Sequence, residues 1–448
     1  MILSADRLLD TLGRLPEADR CHLALSGGLD SCVLLHLLAA LGDRLPWPLQ
    51  AIHVHHGLQA QADLWQTHCE SLCAGYGIPL HTVRLNLEPA PGESLEAAAR
   101  TARYQVLAGQ MGAGDLLLTA QHRDDQAETL LLQLLRGSGP AGLAAMPALS
   151  RFGPGWLARP LLEYPRERLE SYAREQRLAW QEDPSNQDLR FDRNFIRHRV
   201  MPLLALRWPA ASATLARAAR FSGELLTLAK AEAETDLSQA RQAQGPGLSI
   251  HALRGFDSIR LRNLLRHWIA AAGAPLPHAK KLARIEREAV HGRDDAMPLV
   301  AWGGWEVRRY RDRLTLDRAR PATETVRLLD WPDRVELVLP DGLGRLVAEP
   351  GAGGIDAERW AAARVEVRFR RGGERCLPAG QAHHRPLKKL FQEWGVPPWE
   401  RGRIPLIYLD GELAAVPGRL VCQPFAAADG EASIRVRWES PGLTTAAT

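Results

Sequence analysis

The sequence predicts an α/β protein: a parallel sheet with helices on both faces, then a mostly helical middle region and a small α+β C-terminal domain. Two observations carry this. Residues 1 to about 210 alternate short apolar runs with stretches of helical period, the pattern of a sheet covered on both sides. Three of the predicted strands end in polar clusters, and ligands of open α/β sheets sit outside the carboxyl ends of strands. The predicted division is 1–210, 211–330 and 355–438.

The strand candidates are Cys21–Leu25, Leu49–Val54, Leu80–Leu85 and Asp115–Ala120, with helices between them and one more over Asp124–Leu135. The first strand runs into Ser26-Gly27-Gly28-Leu29-Asp30-Ser31 and then into a helix whose apolar positions include Val33, Leu34, Leu37, Leu38 and Leu41. A strand that turns over two glycines into a helix aims bare N–H groups and the positive helix end at one spot, which favours phosphate. Gly27 and Gly28 let that phosphate approach the backbone, and Ser26 and Ser31 add hydroxyls. Asp30 is out of place in a pure anion cradle and suits a metal ion that bridges phosphates. A Gly-Gly turn with a serine cap is the plainer account.

The second strand ends in His53-Val54-His55-His56-Gly57. His53 and His55 share a strand face and His56 does not, so a zinc set is not favoured. In the helix Gly92–Leu107, Arg100 and Arg103 lie about one turn apart, either a solvated face or a clamp on phosphates. The fourth strand leads to HRDDQAET, from His122. Asp124, Asp125 and Glu128 open a helix, where negative charge offsets the dipole. Asp125 and Glu128, three apart, can also meet one ligand: magnesium, or an ammonium group whose proton one of them takes. The Arg136–Gly139 loop either lies against nucleic acid or caps its helix.

The chain has 448 residues, enough for two or three domains of about 100 to 200 residues. A net charge of +4 mildly favours an anionic partner and alone does not specify nucleic acid. The acidic, helical start does not read as a signal peptide, and no apolar run reaches membrane-span length. Cys21, Cys32, Cys69, Cys73, Cys376 and Cys422 form no CxxC. Cys69 and Cys73 beside His68 read better as two small apolar residues than as a metal site, and scattered thiols suit the cytoplasm.

The first of these stretches resembles the PP-loop of ATP pyrophosphatases, signature SGGxDS, which Ser26, Gly27, Gly28, Asp30 and Ser31 match. No Walker A motif occurs. In order, SGGLDS, HVHHGL, HRDDQAET, LLRGSGPAGLAAM, RPLL, EDPSNQD and RNFIRHRVMPLL resemble bacterial tRNA(Ile)-lysidine synthetases, and KKLFQEWGVPPWERGRIPLIY resembles the C-terminal domain of the same family. The resemblance implies a Rossmann-like PP-loop ATPase domain and a ligase that uses ATP and magnesium. Such an enzyme adenylates O2 of the wobble cytidine of CAU-anticodon tRNA(Ile). Free L-lysine then replaces AMP at C2, giving lysidine and changing the codon read from AUG to AUA. It implies ATP contacts at Ser26, Gly27, Gly28, Leu29, Asp30, Ser31 and His53. Arg100 and Arg103 act at the α-phosphate, Asp30 and Asp124 at the metal, and Asp125 and Glu128 at the lysine ammonium. It admits a homodimer without requiring one.

The middle region carries a basic helix with Arg254, Arg260, Arg262, Arg266 and His267, then a Trp- and Arg-rich segment, Trp302–Arg313. Pro332–Gly354 reads as a linker mixed with short strands. Beyond it Arg370, Arg371, Arg375, Lys388 and Lys389 form a positive patch for tRNA, while Trp394 and Trp399 read as core. Two rival functions remain. A tRNA thiolase needs paired cysteines near the site, and Cys32 has no motif partner. An ATP-binding RNA chaperone would leave Asp125 and Glu128 idle.

Overall fold

The structure is a computed structural model and describes residues 2–55, 57, 62–85, 95–242, 246–319 and 328–440. His56 and the start of the Gly92–Leu107 stretch lie outside the described residues. The chain forms two compact units, Met1–Glu234 and Thr235–Thr448.

The first unit alternates helices and strands: α1 Ala5–Leu12, β1 Cys21–Ala24, α2 Leu29–Ala39, β2 Leu49–His55, α3 Ala62–Tyr76, β3 Leu80–Arg84, α4 Leu95–Gly109, β4 Leu116–Leu118 and α5 Arg123–Leu135. After α6 (Pro140–Leu143) come β5 Leu149–Phe152, β6 Gly155–Ala158 and α7 Arg166–Glu175. Then follow α8 Asp192–Phe195, a π-helical turn at Ile196–Val200, α9 Met201–Arg207 and the long α10, Ala211–Ala240. Sheet order is β3-β2-β1-β4-β6-β5, parallel except for β5. The chain moves outward from β1 in both directions, so the crevice at the order reversal lies at the carboxyl end of β1.

Helix α2 explains why this layer forms. Leu29, Cys32, Val33, Leu34, Leu35, Leu37 and Leu38 are all buried, so the helix is apolar around its whole circumference. Such a helix is stable only when enclosed. Leu8 and Leu12 of α1, Cys69 and Cys73 of α3, and Leu169 and Ala173 of α7 share its core. On the other face, Leu107 of α4 and Met111 just beyond it pack on Ile52, Leu117 and Leu157. The sheet and both helical layers thereby fix where the loops at the strand ends can stand.

In the second unit, β7 (Leu248–Ser249), α11 Ile250–Leu253, α12 Ser258–Ala271 and α13 Ala279–Arg284 precede β8 Leu299–Trp302, β9 Trp305–Tyr310 and β10 Arg313–Arg318. The Trp- and Arg-rich segment is thus a hairpin in a sheet of order β7-β10-β9-β8. The basic helix is largely tied down within this domain: Arg254 donates to Val290 and Gly292 carbonyls, Arg260 pairs with Asp236, and Arg262 lies 3.7 Å from Glu286.

The C-terminal domain opens with β11 Leu329–Asp330, β12 Glu336–Val338, β13 Arg345–Asp356 and α14 Ala357–Ala362. The expected linker therefore holds a long strand, paired with β12 and with the last strand, Ser433–Glu439. Between lie β14 Val365–Phe369, β15 Arg375–Cys376, β16 Arg385–Pro386, α15 Leu387–Glu393, α16 Pro398–Arg401, β17 Pro405–Leu409, β18 Glu412–Val416 and β19 Leu420–Val421; the last strand is β20. Trp394 and Trp399 are half-buried. Trp394 meets Phe391 edge-on, with Arg419 5.5 Å from its ring. Trp399 meets Tyr310 edge-on and has Arg308 4.9 Å from its ring.

Candidate active site

The turn after β1 is built as its composition requires. Gly27 has φ +82°, and a Cβ there would lie 3.1 Å from Cys69 Sγ, so a side chain meets both strain and crowding. Its carbonyl accepts from the Gln181 N–H at 2.9 Å, which seats the EDPSNQD segment against the turn. Gly28 is the N-cap of α2 and has no side chain to satisfy the helix N–H groups. Ser31 Oγ donates to the Gly28 carbonyl at 3.0 Å and accepts from Ser26 N at 3.3 Å. Ser26 Oγ lies 3.1 Å from it. Leu29 is buried in the core.

Asp30 stands at the first turn of α2, and its Oδ1 is buried without a hydrogen-bond partner. Burial pushes its carboxyl above the ordinary range, against the opposing pull of His122. One carboxylate with an unspent buried oxygen beside a phosphate cradle fits magnesium, which takes one or two protein carboxylates plus phosphate oxygens.

His122, the N-cap of α5, joins Asp30 to the acidic cluster. Its Nδ1 accepts from the Asp125 N–H at 3.3 Å, and its own N–H donates to Asp125 Oδ2 at 3.1 Å. A backbone N–H only donates, so Nδ1 is unprotonated and the neutral ring carries its proton on Nε2. That nitrogen faces Asp125 Oδ2 at 3.4 Å and Asp30 Oδ2 at 3.8 Å.

Asp125 and Glu128 are brought together, but not as an open pair. Glu128, 2% exposed, accepts Arg193 Nε at 2.9 Å and Arg197 Nε and Nη2 at 2.7 and 2.9 Å. Asp125 Oδ1 accepts Arg193 and Arg197 Nη2 at 2.8 and 3.0 Å. Burial alone raises the Asp125 carboxyl, but His122 and the two arginines outweigh it and hold it below the usual range. The same carboxylates raise Arg197 despite its burial. His122, Arg193 and Arg197 are site members that the sequence reading did not single out. The signal was present: two cations four apart match two carboxylates three apart, each pair on one helix face.

Asp124, expected at the metal, points elsewhere. Its Oδ2 accepts the Arg166 N–H at 2.7 Å and its Oδ1 accepts the Ser212 hydroxyl, so it ties α5 to α7 and α10. His53 is buried, and its Nδ1 donates to the Leu25 carbonyl at 2.9 Å beneath the turn. Arg100 and Arg103 are exposed on α4, with Arg100 5.2 Å from the Tyr104 ring centre. The RGSG loop caps α5: Gly137 has φ +67° and Ser138 donates to Gln133 at 2.6 Å.

The cysteines near the turn suit packing. Burial pushes the Cys32 and Cys69 thiols up to about 12 and the Cys73 thiol to about 11, far from the thiolate that sulfur chemistry needs. In the C-terminal domain, Lys388 and Lys389 are exposed on α15 and Arg375 is exposed. Glu374 accepts from the Arg371 and Gly372 N–H groups and lies 3.6 Å from Arg370 Nε.

Comparison with known proteins gives three family profiles along the chain: a PP-loop domain at residues 3–204, a TilS substrate binding domain at 248–315 and a TilS substrate C-terminal domain at 365–438. The tRNA(Ile)-lysidine synthase of Methylococcus capsulatus is 46% identical over 421 residues, covering 93% of this chain and 95% of that protein. The Coxiella burnetii tRNA(Ile)-lysidine synthase is 40% identical, covering 98% of each. Among solved structures, the U34-tRNA thiolase NcsA of Methanococcus maripaludis aligns at TM-score 0.42 and 19% identity, over 49% of this chain and 77% of that one.

Proposed function

This chain belongs to the tRNA(Ile)-lysidine synthase family, and from that membership we propose how its residues divide the two half-reactions. It is an ATP-using ligase that forms lysidine on tRNA(Ile). The proposal concerns the route: cytidine O2 attacks the α-phosphorus, pyrophosphate leaves, the ε-amine of free L-lysine attacks C2, and AMP departs with O2.

The turn from Ser26 to Ser31 holds the triphosphate, with Arg100 and Arg103 countering the charge that develops at the α-phosphate. Asp30 would hold magnesium beside the phosphate cradle. That ion, when bound, neutralises charge on the leaving pyrophosphate. Glu128 does not bind lysine alone; it anchors Arg193 and Arg197, which its three accepted bonds fix in place. Asp125 keeps Oδ2 on the crevice side, toward His122 and Asp30, and holds the lysine ammonium there.

The ammonium must shed a proton, because its free pKa of about 10.4 lies far above neutral. Asp125, held low, stays ionised and binds it, and a carboxylate of the crevice takes the proton. His122 stands between the two carboxylates, its Nε2 3.4 Å from Asp125 Oδ2 and 3.8 Å from Asp30 Oδ2.

The observation that carries the reading is the buried Asp30 Oδ1 beside the SGGLDS turn, without a hydrogen-bond partner among the described residues, while Oδ2 of the same carboxylate lies 3.8 Å from His122 Nε2. The test incubates the protein with ATP, labelled lysine and CAU-anticodon tRNA(Ile). Label in the RNA, with AMP and pyrophosphate formed, is the expected result. ATP consumption that leaves the RNA unlabelled would remove the ligase chemistry.

A further inference from the structure

Arg159 directly follows β6 and is 9% exposed, yet it has no carboxylate partner among the described residues. Its Nη1 donates to the Pro147 carbonyl at 2.7 Å, and the Tyr104 side chain lies close enough to act on the guanidinium. Its Nε is buried with no partner at all. Another cation, Arg100, acts on it and rests on the Tyr104 ring. Buried guanidinium groups are ordinarily paired, because desolvating an uncompensated charge costs several kcal/mol. Among the described residues, two cations and a phenol meet at this corner without an anion.

We propose that Arg159, at the corner it shares with Tyr104 and Arg100, binds a backbone phosphate of the RNA next to the target cytidine, and so positions that nucleotide for adenylation, leaving Arg100 to the α-phosphate. The proposal rests on the family reading for the identity of the polymer and adds to it a second anchoring point, separate from the C-terminal basic patch. Three features favour RNA over the other two substrates. The triphosphate already has its cradle at β1, and Arg159 stands two strands away, at the end of β6, roughly 10 Å along the sheet edge. The ammonium chemistry lies with α2 and α5, whereas Arg159 shares the strand face of Leu157, which packs with Leu107 of α4 and with Met111 just beyond it. Arg100 is exposed, so the corner opens to solvent, where a polymer can reach both it and the crevice. A guanidinium fork with a neighbouring hydroxyl matches the geometry of a phosphodiester.

The test compares Arg159→Met, Arg159→Lys and Tyr104→Phe in steady-state lysidine formation, with tRNA affinity measured across salt. Arg159→Met should raise the KM for tRNA about tenfold, and Arg159→Lys should recover most of it as a point charge without the fork. Tyr104→Phe should raise it about threefold, and the KM values for ATP and lysine should stay within about twofold for all three. The log–log salt slope of tRNA binding should fall by about 1 for Arg159→Met. A KM change for ATP or lysine instead assigns the anion to that substrate and overturns the proposal. A lower melting temperature with unchanged tRNA KM and salt slope also overturns it, leaving Arg159 as a tie to Pro147. If Arg159→Met does not fold, Arg159→Lys and Tyr104→Phe decide alone. Wild-type labelling tests the ligase reading separately, so the two can fail independently.

Discussion

Removing Glu128 and Arg197 singly and together distinguishes an anchor from a lysine ligand. Arg197 gives Glu128 two of its three accepted bonds, at 2.7 and 2.9 Å. Charge-assisted bonds are worth about 1.5 to 3 kcal/mol each, and Arg197 retains 21% side-chain exposure, so solvent screening brings the link to about 3 kcal/mol. That is about a hundredfold in rate. Glu128→Gln leaves a guanidinium facing an amide, and Arg197→Gln leaves a buried carboxylate short of its partner. Each single variant should lose about a hundredfold in single-turnover lysine transfer to tRNA. The double variant lacks both charges and should lose about the same, not their product of about ten-thousandfold. Rapid-quench transfer of labelled lysine measures this, and pyrophosphate release without lysine is read in parallel and should fall by less than about tenfold. Multiplying losses would mean that Glu128 meets lysine independently of Arg197. Pyrophosphate release that fails as badly as transfer would move the cluster to the first half-reaction.

Asp30→Asn should abolish AMP formation while the protein stays folded. The folded carboxyl is raised, so the folded state binds more protons than the unfolded one and its stability falls as pH rises through that raised value. Without ATP, Asp30→Asn should therefore melt at or above the wild-type temperature near neutral pH, with the difference closing toward pH of about 4; a lower melting temperature at neutral pH contradicts the burial argument. Lys388→Ala with Lys389→Ala should weaken tRNA binding and flatten its salt dependence, whereas Arg370→Ala, beside Glu374, should do less. An equal effect on ATP affinity would count against a tRNA role for the patch. Gly27→Ala should raise the KM for ATP and lower stability by about 1 to 2 kcal/mol, read by thermal melting; no change in either would mean that the turn tolerates a Cβ.

The nucleotide turn was legible because its information is local. Strand, glycines, hydroxyls and helix follow one another, and the same residues that bend the chain also face the phosphate. The acidic cluster was half legible. Asp125 and Glu128 announce themselves at a helix start, but their partners lie 65 to 72 residues further along the chain. Only folding makes that match, and it changes the meaning of the cluster from open ligand to anchored pair. The middle hairpin was hidden by Arg309. Its neighbour in the alternation, Val307, is buried as a strand residue should be, yet Arg309 faces inward too, at 2% exposure. Its Nη1 donates to the Gly292 carbonyl at 3.0 Å and its Nη2 reaches Asp294, so a charge occupies a core position and breaks the apolar period. Composition misled in the opposite way at Pro332–Gly354. Proline and glycine read as a linker, but β13 shifts register between Pro350 and Ile355, and those residues form the bulge. A Cβ on Gly354 would lie 2.2 Å from the Ile434 carbonyl oxygen, so the glycine is there because two strands pass closely, not because the chain is free. In each case the sequence carried the residue, and its meaning depended on a neighbour supplied from elsewhere in the chain.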